Sequence, residues 1–164
     1  MANELSPLCD YADREFDGDS FNGLPLMKTL EGLPLDAVLY SETHEGYSVW
    51  EIAVHTLYYK YFMTEKLGAA DPLERYPYEK RDFVPVPASP GESDWRELLA
   101  YLRTTHRVCM GAIRAMEPAK LEEQVPGWGI SFSAGAAWLC GHDTYHIAQI
   151  RNMGVPGLRA DKEG

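Results

Sequence analysis

Three histidines have the residue type and the spacing of a metal site. His142 and His146 are four residues apart in a segment with helical periodicity, so their rings should lie on one face of that helix. His55 lies in a second predicted helix, from which its ring could reach the same point. Neutral imidazole binds zinc, nickel, copper and iron, and three such ligands leave positions open for water or substrate. The alternative is that each ring is packed and hydrogen bonded without a metal.

The predicted helix around His55 has clear start and stop signals. Ser48 and Glu51 form a capping box, in which each side chain accepts the backbone N–H of the other residue, and Gly68 follows the last apolar position. We therefore expect a helix over residues 49–67. Its apolar side chains cover most of its circumference, which indicates that it is central in the fold or covered by a partner chain.

Three further helices are predicted from apolar residues that recur every three or four positions. They cover about residues 24–33, residues 93–117 with Ser93 or Asp94 as cap, and residues 131–154 with Ser131 or Ser133 as cap. The first twenty residues are polar and acidic, and we expect them to be poorly structured or to wrap the surface.

A long proline-rich segment, residues 68–93, separates the second and third predicted helices. Prolines lack a backbone donor and restrict the preceding residue, so this segment should be an irregular crossover connection. A segment of this size can travel the length of the second helix, which would allow the two helices to run parallel. Four helices with apolar stripes and no strand pattern predict an all-α four-helix bundle, forming a single domain over residues 1–164.

Composition excludes several classes of function. The 164 residues include 25 acidic and 15 basic side chains, and the resulting net charge of −10 repels nucleic acid and anionic membranes. No apolar run is long enough to span a bilayer, and the N-terminus has no signal-sequence pattern. Three separated cysteines without a Cys-x-x-Cys spacing indicate neither disulfides nor a thiolate zinc site. We expect a cytoplasmic protein with a small-molecule substrate and with no nucleic-acid or membrane partner.

The segments that carry the histidines resemble the two signature regions of the DinB/YfiT-like metalloenzyme family. These are Ser-Val-Trp-Glu-Ile-Ala-Val-His over residues 48–55 and His-Asp-Thr-Tyr-His-Ile-Ala-Gln-Ile over residues 142–150. The resemblance extends over most of the chain, from about residue 22 to residue 153. It implies a four-helix bundle of up-down-down-up order, in which His55, His142 and His146 hold a divalent metal ion.

The resemblance also implies a chemistry and a state of association. Similar proteins include S-transferases and isomerases that use mycothiol, bacillithiol or glutathione, and many are homodimers. We therefore expect a divalent metal ion, zinc or nickel first and iron or manganese next, that activates water or a low-molecular-weight thiol against a small electrophile. The protein would then be a transferase or hydrolase. The alternatives are a non-enzymatic metal- or ligand-binding bundle used in stress response and a dimeric helical module with incidental histidines.

Two other side chains are candidates for catalytic roles. Gln149, about one turn beyond His146, could hydrogen-bond a metal-bound water or orient a ligand. His106 lies on the apolar stripe of the third predicted helix and could be a nearby acid–base group. For Tyr59 and Tyr145 we expect core packing, with lining of the pocket as the alternative. For Cys109 and Cys140 we expect small buried side chains, with nucleophiles beside a histidine as the alternative. We expect Asp143 to be solvated, with anchoring of an imidazole on another helix as the alternative, and His44 to face water.

Overall fold

The computed structural model describes residues 3–69, 73, 75–79 and 81–158. Within these ranges it has six α-helices, one 3₁₀ turn and no strand, so the all-α prediction is confirmed. The helices are α1 (Ser6–Asp17), α2 (Leu26–Glu31), α3 (Leu35–Leu39), α4 (Val49–Leu67), α5 (Glu92–Arg114) and α6 (Phe132–Asn152), with the 3₁₀ turn at Pro118–Lys120. No helix in the described ranges is long and apolar enough to cross a membrane.

The four long helices form a closed ring of contacts. Helix α4 packs on α5, α5 on α1, α1 on α6, and α6 on α4, while α2 packs on α1 and α6 and α3 packs on α4. This is a four-helix bundle, but its members differ from the predicted set. The predicted helix over residues 24–33 is the short α2 at the side of the bundle, and its expected place is taken by α1.

Helix α4 has the predicted boundaries. The Ser48 hydroxyl accepts the Glu51 N–H at 3.2 Å, and the Glu51 carboxylate accepts the Ser48 N–H at 2.8 Å. At the other end Gly68 adopts a left-handed conformation with φ of 64°, which an L-residue with a side chain rarely adopts. Because α3, α5 and α6 all pack on α4, its apolar circumference is covered within one chain and does not require a partner.

The prediction for the first twenty residues was wrong. Helix α1 buries Cys9, Ala12 and Phe16, and three of its four acidic side chains are paired with arginines on α5. One nitrogen of Arg114 donates to Asp10 and Asp13, each at 2.7 Å. These partners are about a hundred residues away in the sequence. The local composition of residues 1–20 is therefore typical of a solvated segment, although the acidic face of α1 packs against α5.

The starts of α6 and α5 test the caps predicted for these two helices. Helix α6 begins with Ser131 as cap, whose hydroxyl accepts the Ala134 N–H. Helix α5 begins earlier than expected, because the Asp94 carboxylate accepts the Gly91 N–H and so acts one turn inside the helix. Between α2 and α4, where the sequence predicted no helix, lies the short helix α3. The described residues between α4 and α5 form no helix; the crossover as a whole stays a prediction, since residues 70–72, 74 and 80 lie outside the described ranges.

Candidate metal centre

The three histidines of α4 and α6 meet inside the bundle. Nε2 of His142 lies 3.2 Å from Nε2 of His55 and 3.0 Å from Nε2 of His146. One nitrogen from each ring lies within 4.8 Å of the other two, and all three side chains are buried. Residues that are 87 positions apart in the chain are therefore brought to one point, as the spacing on the two helices predicted.

The separation of the nitrogens fits a shared cation. Ligands about 2.0–2.1 Å from a zinc ion are roughly 3.3 Å apart in a tetrahedral arrangement, and slightly closer in an octahedral one. The observed separations of 3.0 and 3.2 Å are close to these values. The three-residue donor set consists of nitrogens alone, which suits zinc, nickel, copper or iron better than magnesium or calcium.

The tautomer of His55 is set by Asp82. Nδ1 of His55 lies 2.9 Å from the Asp82 carboxylate and 3.2 Å from the Asp82 backbone carbonyl. Both oxygens are acceptors, so Nδ1 carries the proton and Nε2 has a free lone pair that points toward the other two histidines. Tyr59 donates to the same carboxylate at 2.8 Å and thereby fixes its orientation.

A second chain of hydrogen bonds sets the tautomer of His146. The amide of Gln149 donates to the carboxylate of Glu45, which can only accept while it is ionised, so the amide oxygen faces His146. Nδ1 of His146 lies 2.7 Å from that oxygen and must be its donor. The lone pair of His146 is therefore also on Nε2. Sequence reasoning named Gln149, but not Glu45.

Two lone pairs thus face the third ring, and one proton on that ring cannot satisfy both. An N–H at Nε2 of His142 could donate to His55 or to His146, but not to both with good geometry. Its Nδ1 is buried and has no hydrogen-bond partner among the described residues. A cation between the three Nε2 atoms resolves this conflict, since each nitrogen would then donate its lone pair.

Burial keeps the rings in the neutral form that binds metal. It lowers the pKa of His142 to about 2, with further lowering from the charges of His146, Lys60 and His55. Burial likewise lowers the pKa of His146 to about 4. The pKa of His55 is lowered by burial and partly restored by Asp82. At neutral pH the three nitrogens are therefore not blocked by protons.

The three histidines open into a cleft of about 700 Å³. Its walls are mostly aromatic or small, and the lining residues other than the histidines are Glu45, Tyr47, Phe83, Ala137, Trp138, Gly141, Tyr145 and Gln149. Phe83 stacks on the ring of His55 with centroids 4.3 Å apart. The cleft has the size and the apolar character of a site for a small organic molecule.

Tyr145 lies at the rim of the cleft, where 64% of its surface is exposed. The prediction of core packing for Tyr145 is therefore wrong, and the alternative, that it lines the pocket, is confirmed. Tyr59 is half-buried and is engaged with Asp82. Burial raises the pKa of the Cys109 thiol to about 12, and a hydrogen bond with Cys9, together with burial, raises the pKa of the Cys140 thiol. Both thiols therefore stay protonated, in agreement with the expected packing role.

The prediction that Asp143 is a solvated carboxylate is wrong. It is 1% exposed and pairs with Lys60, which is 0% exposed. The second carboxylate oxygen of Asp143 lies 3.8 Å from Nδ1 of His106. His106 in turn binds Asp13 through Nε2 at 2.9 Å and stacks on Phe16. His106 therefore does not line the cleft, and its connection to the histidine cluster runs through Asp143, the neighbour of His142 in the sequence.

Sequence reasoning missed three residues that support the cluster. Glu45 and Asp82 lie in irregular segments, where no periodicity marks a residue as facing the site. Lys60 is a charged residue within a largely apolar helix, five positions after His55, and such a lysine needs a buried partner. The sequence therefore did contain a signal for Lys60, namely a charged residue in a helix that is otherwise largely apolar.

Comparison with known proteins identifies a family. A family model described as the DinB superfamily matches residues 26–150, which include all three histidines. No curated protein and no solved structure matches the chain.

Proposed function

The chain belongs to the DinB superfamily, and from the geometry of its site we propose that it is a divalent-metal-dependent enzyme. The reaction we propose is an S-transfer or a hydrolysis, in which a small thiol or water attacks a small electrophile. The observation that carries this proposal is the convergence of three Nε2 atoms at 3.0 and 3.2 Å, beside a cleft that can admit a ligand.

In this proposal the residues of the chain bind the metal ion and orient the histidine rings that bind it. His55, His142 and His146 would hold the ion, while Asp82 and Gln149 keep two of the rings in the tautomer that can bind it. When bound, a divalent ion supplies Lewis-acid chemistry that lowers the pKa of a thiol or of water. We infer zinc or nickel first, with iron or manganese as alternatives, since availability decides among metals that accept this donor set.

The cleft walls would position the electrophile and exclude bulk water. Aromatic side chains lie against the rings of the three histidines, as in the contact of Trp138 with His142 at a centroid distance of 4.5 Å. In such a low-dielectric setting a nucleophile at the three histidines is less solvated than in water. We propose that Gln149 acts through His146 as a positioning residue, because its amide oxygen is already used by that ring.

For His106 we propose an indirect acid–base role through Asp143. His106→Gln should shift the pH profile of turnover while the metal content stays at one ion per chain. An unchanged pH profile would show that His106 serves only the packing of α5 against α1.

Metal analysis of the purified protein is the primary test. Wild-type protein should contain about one divalent ion per chain, and His146→Ala should lose it. His44→Ala is the matched control, since His44 is exposed and outside the cluster. Full metal occupancy in His146→Ala would refute the proposed ligand set. A thiol-transfer assay with several thiols and 1-chloro-2,4-dinitrobenzene then tests the reaction, and turnover should stop on chelation.

A second candidate is a non-enzymatic metal- or ligand-binding bundle that acts in stress response. It is favoured by one observation, the presence of only one carboxylate, Glu45, among the described residues that line the cleft. Stoichiometric metal without turnover of any thiol or ester would support this candidate.

We also propose that the protein forms a homodimer, which light scattering during size-exclusion chromatography tests.

A further inference from the structure

The cleft beside the histidines has one fixed negative charge. Among its described lining residues only Glu45 carries a carboxylate, and none is a lysine or an arginine. The partner seen for this carboxylate is the amide of Gln149. An amide holds the carboxylate in place without cancelling its charge, so the edge of the cleft next to His146 stays negative.

The walls beside this charge are aromatic faces and edges. Trp138 and Tyr145 are 43% and 64% exposed, so a ligand in the cleft can touch them. Tyr47 stacks on Phe83 with centroids 4.1 Å apart, and Phe83 stacks on His55. Aromatic faces attract cations, and the attraction grows where water is excluded. A carboxylate next to several aromatic rings is a setting that favours a positively charged organic group.

The charge of the whole chain acts in the same direction. With a net charge of −10, the protein draws small cations toward it and repels small anions. At the histidine end of the cleft, in contrast, the ion that the three Nε2 lone pairs would hold accepts an electron pair, so this end favours a donor atom on the ligand. A ligand that satisfies both ends has a donor atom at one end and a cation at the other.

We propose that the cleft selects a small thiol that carries a positively charged amino or ammonium group, and that Glu45 is the residue that selects it. The thiol end faces His55, His142 and His146, and the cationic end lies between the Glu45 carboxylate and the rings of Trp138 and Tyr145. This inference rests on the proposed function, because the thiol end needs the metal site.

A matched pair of probes tests the charge alone. Thiocholine and 3,3-dimethylbutane-1-thiol have the same shape, but the first carries a quaternary nitrogen where the second carries carbon. Binding to the cobalt-loaded protein is followed by the thiolate-to-cobalt charge-transfer band, which does not depend on turnover. We expect thiocholine to bind at least about tenfold more tightly than its carbon analogue.

The decisive variant is Glu45→Gln. It keeps an oxygen that can accept from the Gln149 amide but removes the charge, and the cobalt stoichiometry checks that His146 still binds the metal. The ratio of the two affinities should fall at least severalfold from its wild-type value, while cobalt stoichiometry is unchanged. The intrinsic difference in thiol acidity is the same for both proteins and cancels when the variant ratio is compared with the wild-type ratio. Glu42→Gln, in the same loop but outside the cleft lining, is the control and should keep the wild-type ratio.

The outcomes separate this inference from the proposed function. Equal affinities of the two thiols for wild-type protein, or a ratio that Glu45→Gln leaves intact, overturn the inference and leave the metal site standing. Cobalt binding without a charge-transfer band from either thiol overturns the inference together with the proposed use of a thiol. Failure to bind cobalt at all overturns both.

Discussion

Nζ of Lys60 lies 2.5 Å from Oδ1 of Asp143, and both side chains are fully enclosed by the bundle. The pair joins α4 to α6, the two helices that carry the histidines. Lys60 is five residues after His55, and Asp143 follows His142 directly. The ion pair therefore fixes the relative position of the two helices close to the point where the three rings meet.

Breaking this pair should be costly. Lys60→Met leaves a buried carboxylate without its cation, and we expect a loss of roughly 3–5 kcal/mol in the free energy of unfolding. Urea denaturation measures the loss. The double variant Lys60→Met with Asp143→Leu should be more stable than Lys60→Met alone, because no unpaired charge is left. Lys28→Met, on the exposed side of α2, is the control, and an equal cost in both single variants would contradict the assignment.

Gln149 is predicted to act on metal affinity more than on stability. Gln149→Leu removes the acceptor for Nδ1 of His146, so the ring can take the wrong tautomer or turn away. We expect a loss of about 10–100-fold in metal affinity, measured by competition with a chelator of known affinity. Asn152→Leu, an exposed position on the same helix, should leave the affinity unchanged. Similar affinities in the two variants would show that Gln149 does not orient the ligand.

The metal-free protein should become less stable as the pH falls from 7 to 5. The folded-state pKa of His146 is about 4, below the unfolded value of about 6.5, so the unfolded chain binds more protons across this interval. Protonation therefore favours unfolding, and His146 alone accounts for a loss of about 2 kcal/mol. Thermal denaturation of the chelator-treated protein at several pH values checks this. His142→Gln with His146→Gln should flatten the dependence; a wild-type slope in that variant would contradict the assignment.

The cap of α4 is predicted to stabilise the fold without a direct effect on the metal. Ser48→Ala removes the acceptor for the Glu51 N–H and should cost about 1 kcal/mol in the free energy of unfolding. Metal stoichiometry should stay at one ion per chain. Ser41→Ala, at an exposed loop position, should cost much less. A large loss of metal in Ser48→Ala would mean that the start of α4 is coupled to the site.

The sequence predicted best where the determining interactions are local. The boundaries of α4 follow from a capping box of four residues and one glycine, and the face shared by His142 and His146 follows from helical periodicity. These signals lie within a few positions of the residues they determine. The convergence of His55 with that face required only that two apolar stripes pack against each other.

The failures concern interactions between distant segments. Helix α1 looked like a solvated segment because its basic partner Arg114 is on α5, and Asp143 looked solvated because Lys60 is 83 positions away. Glu45 and Asp82 reach the histidines from irregular segments, whose paths are set by the packing of the whole chain. No local pattern marks such residues.

Asp82 and Phe83 show that the segment between α4 and α5 takes part in two properties of the site, the binding of the metal and the recognition of a molecule in the cleft. Both residues belong to the segment between α4 and α5, yet one holds the proton of His55 and the other covers its ring. As long as position 82 keeps an acceptor for Nδ1 of His55, the helices that carry the nitrogens can be inherited unchanged while the rest of this segment diverges. Related proteins with the same histidines but a different segment would be expected to accept different molecules, so the segment is the place to graft when redesigning what the protein recognises.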